Sequence, residues 1–508
     1  MGSATFLSRL LGYVRDMALA WFFGAGLASD AFFVAFRIPN LLRRLFAEGS
    51  LSIAFIPIFT DYLEKEGKDE AFRFAGSALK FLSVALVFVV LAGVFLAPFI
   101  VRVFAPGFAV DPEKFALTVL MTRIMFPYIF FIGLVALCMG ILNVLGHFSA
   151  PALAPVFLNI AMIFSVVFIS PHMNEPVTGL AIGVLIGGAL QLCLQAPFLI
   201  KKGIYLNKKI KLFHPGLKKV GTLMLPTILG AAAYQVNILV GTLLSSLLPE
   251  GSVSYLYYAD RLTQFPLGIF AIALATAILP SLSRQAAAGQ IKEAGETFAS
   301  AMRFVFFITL PAMAGMIVLR EPIVELLFKR GAFDTMAVKS TAYALVCYVA
   351  GLWAFSAVRI AIAAFYALKD TRTPVKMAII SIIVNIVLGI LLMGPMGHGG
   401  LALATSLSSM LNLVLLVRTL GPKLGFSGWS FLTVSIFKTL ASSLIMGAAV
   451  YGIALVALPS GGDTMGGLFL GLFASIACGL LVYGLSAFVL KSPEINIILA
   501  MVSKAVKK

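Results

Sequence analysis

The amino-acid sequence predicts an all-α polytopic membrane protein of about fourteen transmembrane helices, arranged as two six-helix lobes in the same orientation followed by two C-terminal helices. Three observations predict this. Hydrophobic residues make up 61% of the chain and charged residues only 12%, about half the charged share of a soluble protein. Apolar runs of about 20 residues, each long enough to cross the hydrocarbon core, recur from end to end. The chain also matches itself without a gap at an offset of 223 residues: Pro57 falls on Pro280, Glu70 on Glu293, Ala71 on Ala294, Ser77 on Ser300, Ala78 on Ala301, Phe81 on Phe304 and Pro151 on Pro374.

In chain order the spans read Ala4 to Phe23, Leu27 to Tyr62, Ala75 to Val101, Phe115 to Val144, Pro151 to Ser170, Val177 to Ile200, Val220 to Leu248, Val253 to Leu282, Phe298 to Leu319, Ser340 to Leu368, Pro374 to Met393, Gly400 to Val417, Thr433 to Leu458 and Leu468 to Leu490. The second is too long for one straight crossing, and Pro39 and Gly49 predict a kink or break in it, which a membrane helix tolerates where it lines a cavity. The expected domains are a first lobe over 1–200, a basic loop over 201–219, a second lobe over 220–418, and a final helix pair with a basic tail over 419–508. Parallel repeats of this kind are expected to meet at a central site near the midplane and to rock about it.

Charge in the connections sets orientation. Lys201, Lys202, Lys208, Lys209, Lys211, Lys218 and Lys219 follow span six, Lys369, Arg372 and Lys376 follow span ten, and Lys504, Lys507 and Lys508 lie in the tail. The turns at Gly24 to Ser29, Pro171 to Pro176, Gly394 to Gly399 and Pro459 to Thr464 carry no lysine or arginine, so both termini are expected in the cytoplasm. The net charge of +17 is thus a topology signal, not a nucleic-acid footprint. The 201–219 loop has two readings: it lies on the anionic inner surface of the membrane lipids, or it only fixes topology. Cys138, Cys193, Cys347 and Cys478 all fall inside apolar runs without metal or disulfide spacing, which predicts packed core thiols. Arg9, Arg15 and Asp16 interrupt the first apolar run, so it reads as a retained helix and not as a cleaved signal.

Function is written in the charges of the first two spans. Each costs roughly 2.5 to 3.5 kcal/mol at the centre of a membrane helix, so it is kept only facing water, a partner charge or a ligand. Residues seven apart share a helix face, which pairs Ser8 with Arg15, Arg9 with Asp16, and Asp30 with Arg37 and Arg44. Arg15 lies roughly 17 Å from the start of its span, near mid-membrane, and Arg9 about 8 Å in. In the second lobe Asp260 and Arg261 sit about two turns inside span eight. With Arg43 these arginines form a positive ladder suited to an anion, above all phosphate, whose oxygens the planar guanidinium binds two at a time. Asp16, Asp30 and Asp260 would orient arginines or close the cavity. The competing reading pairs the charges internally: Arg9 with Asp16, Arg44 with Glu48, and Asp260 with Arg261. Arg123 and Arg303 read as interfacial anchors, and Arg359 as a further cavity candidate.

No enzyme chemistry is indicated. His147, His172, His214 and His398 lie in or near connections without a cysteine or carboxylate at ligand spacing, and neither a GxxxxGK[ST] loop nor a GxGxxG turn occurs. Transport, if that is the role, draws on a gradient, the membrane potential, or the supply and removal of its substrate.

The segment SRLLGYVRDMALAWFFGAGLASDAFFVAFRIPNLLRRLFAEGSLSIAFIPIF, the loop FAPGF at Phe104 to Phe108, and SVSYLYYADRLTQFPLGIF resemble the MurJ (MviN) family of lipid II flippases within the MOP exporter superfamily. The resemblance implies a flippase that moves the undecaprenyl-diphosphate-linked peptidoglycan precursor from the cytoplasmic to the periplasmic leaflet. Residues essential in the family correspond to Ser8, Arg9, Arg15, Asp30, Arg43 and Arg261, with Asp16 as the acidic neighbour of the central arginine. Some members are thought to hold sodium between spans seven, eleven and twelve with carboxylates. The counterparts here are the neutral Asn237, Ser381, Asn385 and Thr405, which argues against sodium coupling; the candidate driving forces are sodium and the membrane potential. The expected partners are lipid II and membrane lipids, with cell-wall synthesis enzymes as docking partners of the loop or tail, and the expected form is a monomer. Export of another polyprenyl-linked glycan, or a scaffold role without transport, are the alternatives.

Overall fold

The computed structural model describes residues 2–204, 211–425, 429–458 and 465–495, with the side chains at 2, 3, 5, 46–49, 229–234, 269 and 429–431 outside that description. Lys208, Lys209, the turn 459–464, the tail lysines Lys504, Lys507 and Lys508, and the Glu48 side chain therefore lie outside the described residues. All regular structure among the described residues is helical. The chain forms two compact units, Met1–Ser254 with Arg330–Phe333, and Tyr255–Lys329 with Asp334–Lys508.

The first unit begins with α1 (Gly2–Phe23), α2 (Leu27–Leu42), a π-helical stretch Arg43–Leu51, α3 (Ser52–Lys65) and α4 (Lys68–Phe104). It continues through α5 (Pro112–Met125), α6 (Tyr128–Val144), α7 (Ser149–Phe164), α8 (Pro176–Lys201) and α9 (Pro215–Ser246). Helix α10 (Ser252–Pro266) opens in the first unit and runs into the second. There follow a π turn Leu267–Ala271, α11 (Ile272–Ala287), α12 (Ile291–Val318), α13 (Arg320–Phe328), α14 (Thr335–Val349), α15 (Leu352–Ala367), α16 (Arg372–Met396), α17 (His398–Leu424), α18 (Trp429–Ala457) and α19 (Met465–Val489).

Local chemistry sets these limits. Asp111 accepts from the Glu113 and Lys114 amides ahead of Pro112, which opens α5, and Asp334 accepts from Ala337 N to open α14. Gly425, in the left-handed region at φ 55°, closes α17. Among the described residues nine helical stretches are long and apolar enough to cross a membrane, and α14 with α15, bent by 41° at their junction, make a tenth. The other four expected spans are α1, α2 to α3, α9, and α10 to α11, which carry the charges or the breaks. In the second span the break is the π stretch Arg43–Leu51, which begins four residues after Pro39 and includes Gly49.

The 223-residue repeat appears as matched irregularities inside each unit. The π turn Leu267–Ala271 falls at positions 44–48 of the repeat register, inside the first unit's own π stretch. The α6 end donates Gly146 N to Asn143 O at 3.1 Å and His147 N to Leu142 O at 2.8 Å; the α15 end donates Lys369 N to Tyr366 O at 3.0 Å and Asp370 N to Phe365 O at 2.9 Å. Gly146 takes φ 75° and Lys369, its equivalent, φ 59°. One turn geometry therefore serves both units, without glycine in the second.

Each unit has its own core. In the first, Phe55 stacks on Phe59 and on Phe74, at 5.5 and 5.2 Å. In the second, the small face Ala354, Ala357, Ala361 and Ala364 lets α15 approach Phe298 and Leu416. A separate cluster joins the last helix pair to α12, where Tyr483 Oη donates to Phe307 O at 2.6 Å beside Met446 and Val450. Arg303, expected as an interfacial anchor, instead lies 3.7 Å from the buried Glu494 carboxylate, which also accepts from Ser435 Oγ at 2.7 Å. The thiols divide: Cys138 and Cys347 are buried as expected, whereas Cys193 is exposed and Cys478 half-buried. An apolar run marks a span, but lipid and core are equally apolar and do not distinguish its faces.

Asp370 opens α16, accepting from Thr373 N at 3.0 Å and Thr373 Oγ1 at 2.7 Å and pairing with Lys423. Lys423, and then the Thr373 donors, hold its carboxyl well below the usual carboxylate range. A depressed folded-state pKa gives stability that is present above the unfolded value of about 3.9 and is lost as the pH falls below it. Thermal melting should therefore show Asp370→Asn below the parent by a constant margin above about pH 5, narrowing below about pH 4. An unchanged margin at pH 3 would contradict this.

Candidate functional site

Among the described residues the first unit keeps four charged groups almost wholly out of solvent. Arg15 is 7% exposed, Asp16 0%, Asp30 1% and Lys114 6%. Arg15 donates from Nε and Nη2 to Asp16 Oδ1, at 3.0 and 2.6 Å, and from Nη1 to Asn159 Oδ1 at 3.1 Å. Asn159, on α7, completes the frame by donating Nδ2 to the Ser8 carbonyl at 3.1 Å, so Ser8 and Arg15 do share one working face of α1. The Arg9–Asp16 ion pair of the competing reading does not form: Asp16 turns to its chain neighbour, and Arg9 is exposed. The result is a guanidinium at mid-helix, fixed in plane by a carboxylate on one edge and an amide oxygen on another.

Asp30 is saturated differently. Its Oδ2 accepts from Lys114 Nζ at 2.8 Å and Gly251 N at 2.8 Å, and its Oδ1 from Ser254 N at 2.9 Å and Ser254 Oγ at 2.6 Å. The carboxylate thus caps the amino end of α10, where the exposed amides of a helix carry partial positive charge. Lys114, 6% exposed, also lies 4.3 Å from the centre of the Phe108 ring, so the FAPGF loop shields the pair. Gly107 of that loop approaches Ser246 so closely that a Cβ would lie 2.0 Å from its carbonyl oxygen, and Gly107 N donates to Ser246 Oγ at 3.2 Å.

The remaining expected residues are more dispersed. Arg37 donates to Thr242 Oγ1 on α9 at 2.7 Å. Arg43 is half-buried in the π stretch and Arg44 exposed. In the second unit Asp260 and Arg261 are half-buried on α10, where Asp260 accepts from Gln264 one turn on. Arg359 is exposed on α15. The sodium candidates divide between the units, Asn237 in the first and Ser381, Asn385 and Thr405 in the second. Ser381 and Thr405 donate to carbonyls of their own helices, Met377 O at 2.9 Å and Leu401 O at 3.0 Å. None of the four residues carries a formal charge.

Asn159, Lys114, Thr242 and Ser254 are the residues that sequence reasoning missed. Their partners lie 84 to 224 positions away in the chain, and neither periodicity nor local spacing records such pairing. A lysine in the first turn of a span was the one available signal, and it reads equally well as an interfacial anchor.

Lys114→Met leaves the Asp30 carboxylate buried with only neutral donors. Breaking a buried ion pair from one side costs about 3 to 5 kcal/mol. Thermal unfolding of purified protein should show Lys114→Met well below the parent and Lys114→Arg between them, whereas equal stability of all three would remove the ion pair as a structural tie.

This geometry accompanies a clear family match. The family model described as lipid II flippase MurJ matches residues 19–463. A probable lipid II flippase MurJ of Vibrio cholerae serotype O1 is 41% identical over 427 residues, covering 83% of this chain and 81% of its own. The solved structure of a lipid II flippase MurJ in an inward closed conformation superposes with a TM-score of 0.82 at 28% identity, over 98% of this chain and 99% of that one. An inward-facing multidrug resistance MATE transporter of the MOP superfamily reaches a TM-score of 0.70 at 15% identity, over 82% of this chain and 94% of its own, a likeness of fold alone. The chain therefore belongs to the MurJ family of lipid II flippases, multi-pass membrane transporters related in fold to MATE proteins.

Proposed function

We propose that this chain moves lipid II, the undecaprenyl-diphosphate-linked disaccharide-peptide, from the cytoplasmic to the periplasmic leaflet of a bacterial inner membrane, with both termini cytoplasmic. The observation that carries this reading is Arg15, held at mid-helix by Asp16 and Asn159 at 7% exposure. A scaffold has no use for a guanidinium oriented at that depth, whereas a diphosphate crossing the membrane needs one.

In this reading Arg15 takes the diphosphate oxygens in charge-assisted hydrogen bonds, with Ser8, Arg9 and Arg43 of the first unit serving the same polar head. Arg261, half-buried beside Asp260 in the second unit, is assigned to the substrate by the same guanidinium chemistry. Asp16 keeps the Arg15 fork in plane, so that little rotamer entropy is lost on binding. Asp30 works by position: all four of its bonds go to protein donors, and it secures the end of the helix that bears Arg261. The sugars and peptide occupy the watery volume around the arginines while the prenyl tail stays in lipid beside the broken second span. Alternating access of two six-helix halves then carries only the head across. No step is assigned to sodium, because the candidate ligands are neutral.

The test is the amount of lipid II exposed on the outer leaflet of cells depleted of their own flippase. The parent chain should restore exposure, and Arg15→Ala at matched membrane levels should lower it at least about tenfold, as expected for loss of a charge-assisted contact. Restoration by both would remove Arg15 from the binding set. Failure by both, at full membrane levels, would contradict lipid II as the substrate.

A further inference from the structure

The 201–219 connection ends in a second polar cluster that the transport reading does not use. His214 sits at the amino end of α9 and bonds from both ring nitrogens. Its Nδ1 accepts from Gly216 N at 3.1 Å, and its Nε2 lies 3.0 Å from Glu70 Oε1 on α4. An accepting Nδ1 places the proton on Nε2, so Nε2–H is the donor to Glu70. The Tyr62 and Phe74 rings stand 5.2 Å from the imidazole, one edge-on and one tilted. Gly216 is pressed so close to these rings that a Cβ would lie 2.7 Å from Phe74 Cε2 and 2.9 Å from Tyr62 Cε2. Arg73 Nη1 holds Glu70 from its far side at 3.2 Å, and Lys219 Nζ lies 5.7 Å from the Tyr62 ring centre.

The contacts of His214, Gly216 and Lys219 connect the start of α9 to the hairpin of α3 and α4, within the first unit. We propose that His214 and Glu70 form a clasp that holds the amino end of α9 on this hairpin, and that His214 is a positioning residue for transport. It touches no substrate. Its imidazole ends the helix and ties it down with one side chain, fixing the rotation and height of α9, which farther along presents Thr242 to Arg37. A solvated cap would open the same helix without fixing where it stands. The side-chain exposure of His214 is 10%.

The cap and the pair can be exchanged together. Aspartate is a good helix cap, so His214→Asp keeps the cap but places a second carboxylate against Glu70, and Glu70→Lys alone removes the acceptor. Combining the two restores the cap and replaces the neutral imidazole–carboxylate hydrogen bond by a pair of opposite charges. Amide exchange on purified protein should be about tenfold or more faster across residues 216–220 in each single variant, and return toward the parent in the double variant. Lipid II exposure in cells, at matched membrane levels, should fall several-fold in the singles and recover in the double. Parent-like exchange in both singles would overturn the clasp. Altered exchange with parent-like transport would overturn the positioning role. A double variant no better than the worse single would show that pairing is not what matters. Because amide exchange does not depend on the cargo, an error in the transport reading would leave that arm of the test intact.

Discussion

Charge inside a membrane helix must be neutralised by something at hand, and in the first unit that constraint determines which helices touch. Arg15 of α1 requires Asp16 and recruits Asn159 from α7; Asp30 of α2 requires Lys114 from α5 and the opening amides of α10. A buried ion pair gives little net stability compared with an apolar pair of the same size, because desolvation offsets most of the attraction. Its value is specificity, since any other packing of these helices would strand a charge in an apolar medium. The polar bonds therefore select one arrangement of helices whose apolar surfaces could pack in several ways.

The two buried sites differ in what they leave for a ligand. Around Asp30 the donors and the carboxylate oxygens are matched within the protein, and the site holds structure. Around Arg15 one carboxylate and one neutral amide oxygen constrain a guanidinium that carries its charge in a delocalised plane. Such a group is already desolvated and already oriented, so an incoming oxyanion does not have to displace a full hydration shell or freeze a long side chain. On the proposed reading, that distinction assigns Asp16 to the ligand site and Asp30 to the packing around it.

Most of the architecture was legible in the sequence, because hydrophobic length and repetition are local properties. The spans follow from apolar runs, and the 223-residue register follows from scattered identities such as Pro57 with Pro280. The matching π turns and helix ends show that the register extends to backbone irregularities that sequence alone did not reveal. The candidate site was legible only in part. Arg15 and Asp30 stand out as charges in apolar surroundings, but Asn159 and Lys114 do not, since a polar residue in a span has many ordinary explanations. The competing reading paired Arg9 with Asp16, whereas the shorter reach between Asp16 and Arg15 prevailed. The packing boundary at Ser254 was also hidden: α9 begins the second repeat by sequence, yet its polar contacts, at His214, Thr242 and Ser246, are with first-unit helices. Repeats record ancestry, and packing answers to side-chain chemistry.

The central claim is that Arg15 binds the diphosphate because Asp16 and Asn159 hold it in place. Its most direct test is the affinity of purified protein for lipid II, compared between the parent and Asn159→Ala, a change that leaves every charge intact. A several-fold or greater loss of affinity, in protein that still folds and inserts, is the expected result. Full affinity in Asn159→Ala would contradict the claim, since the arginine would then bind as well without its frame.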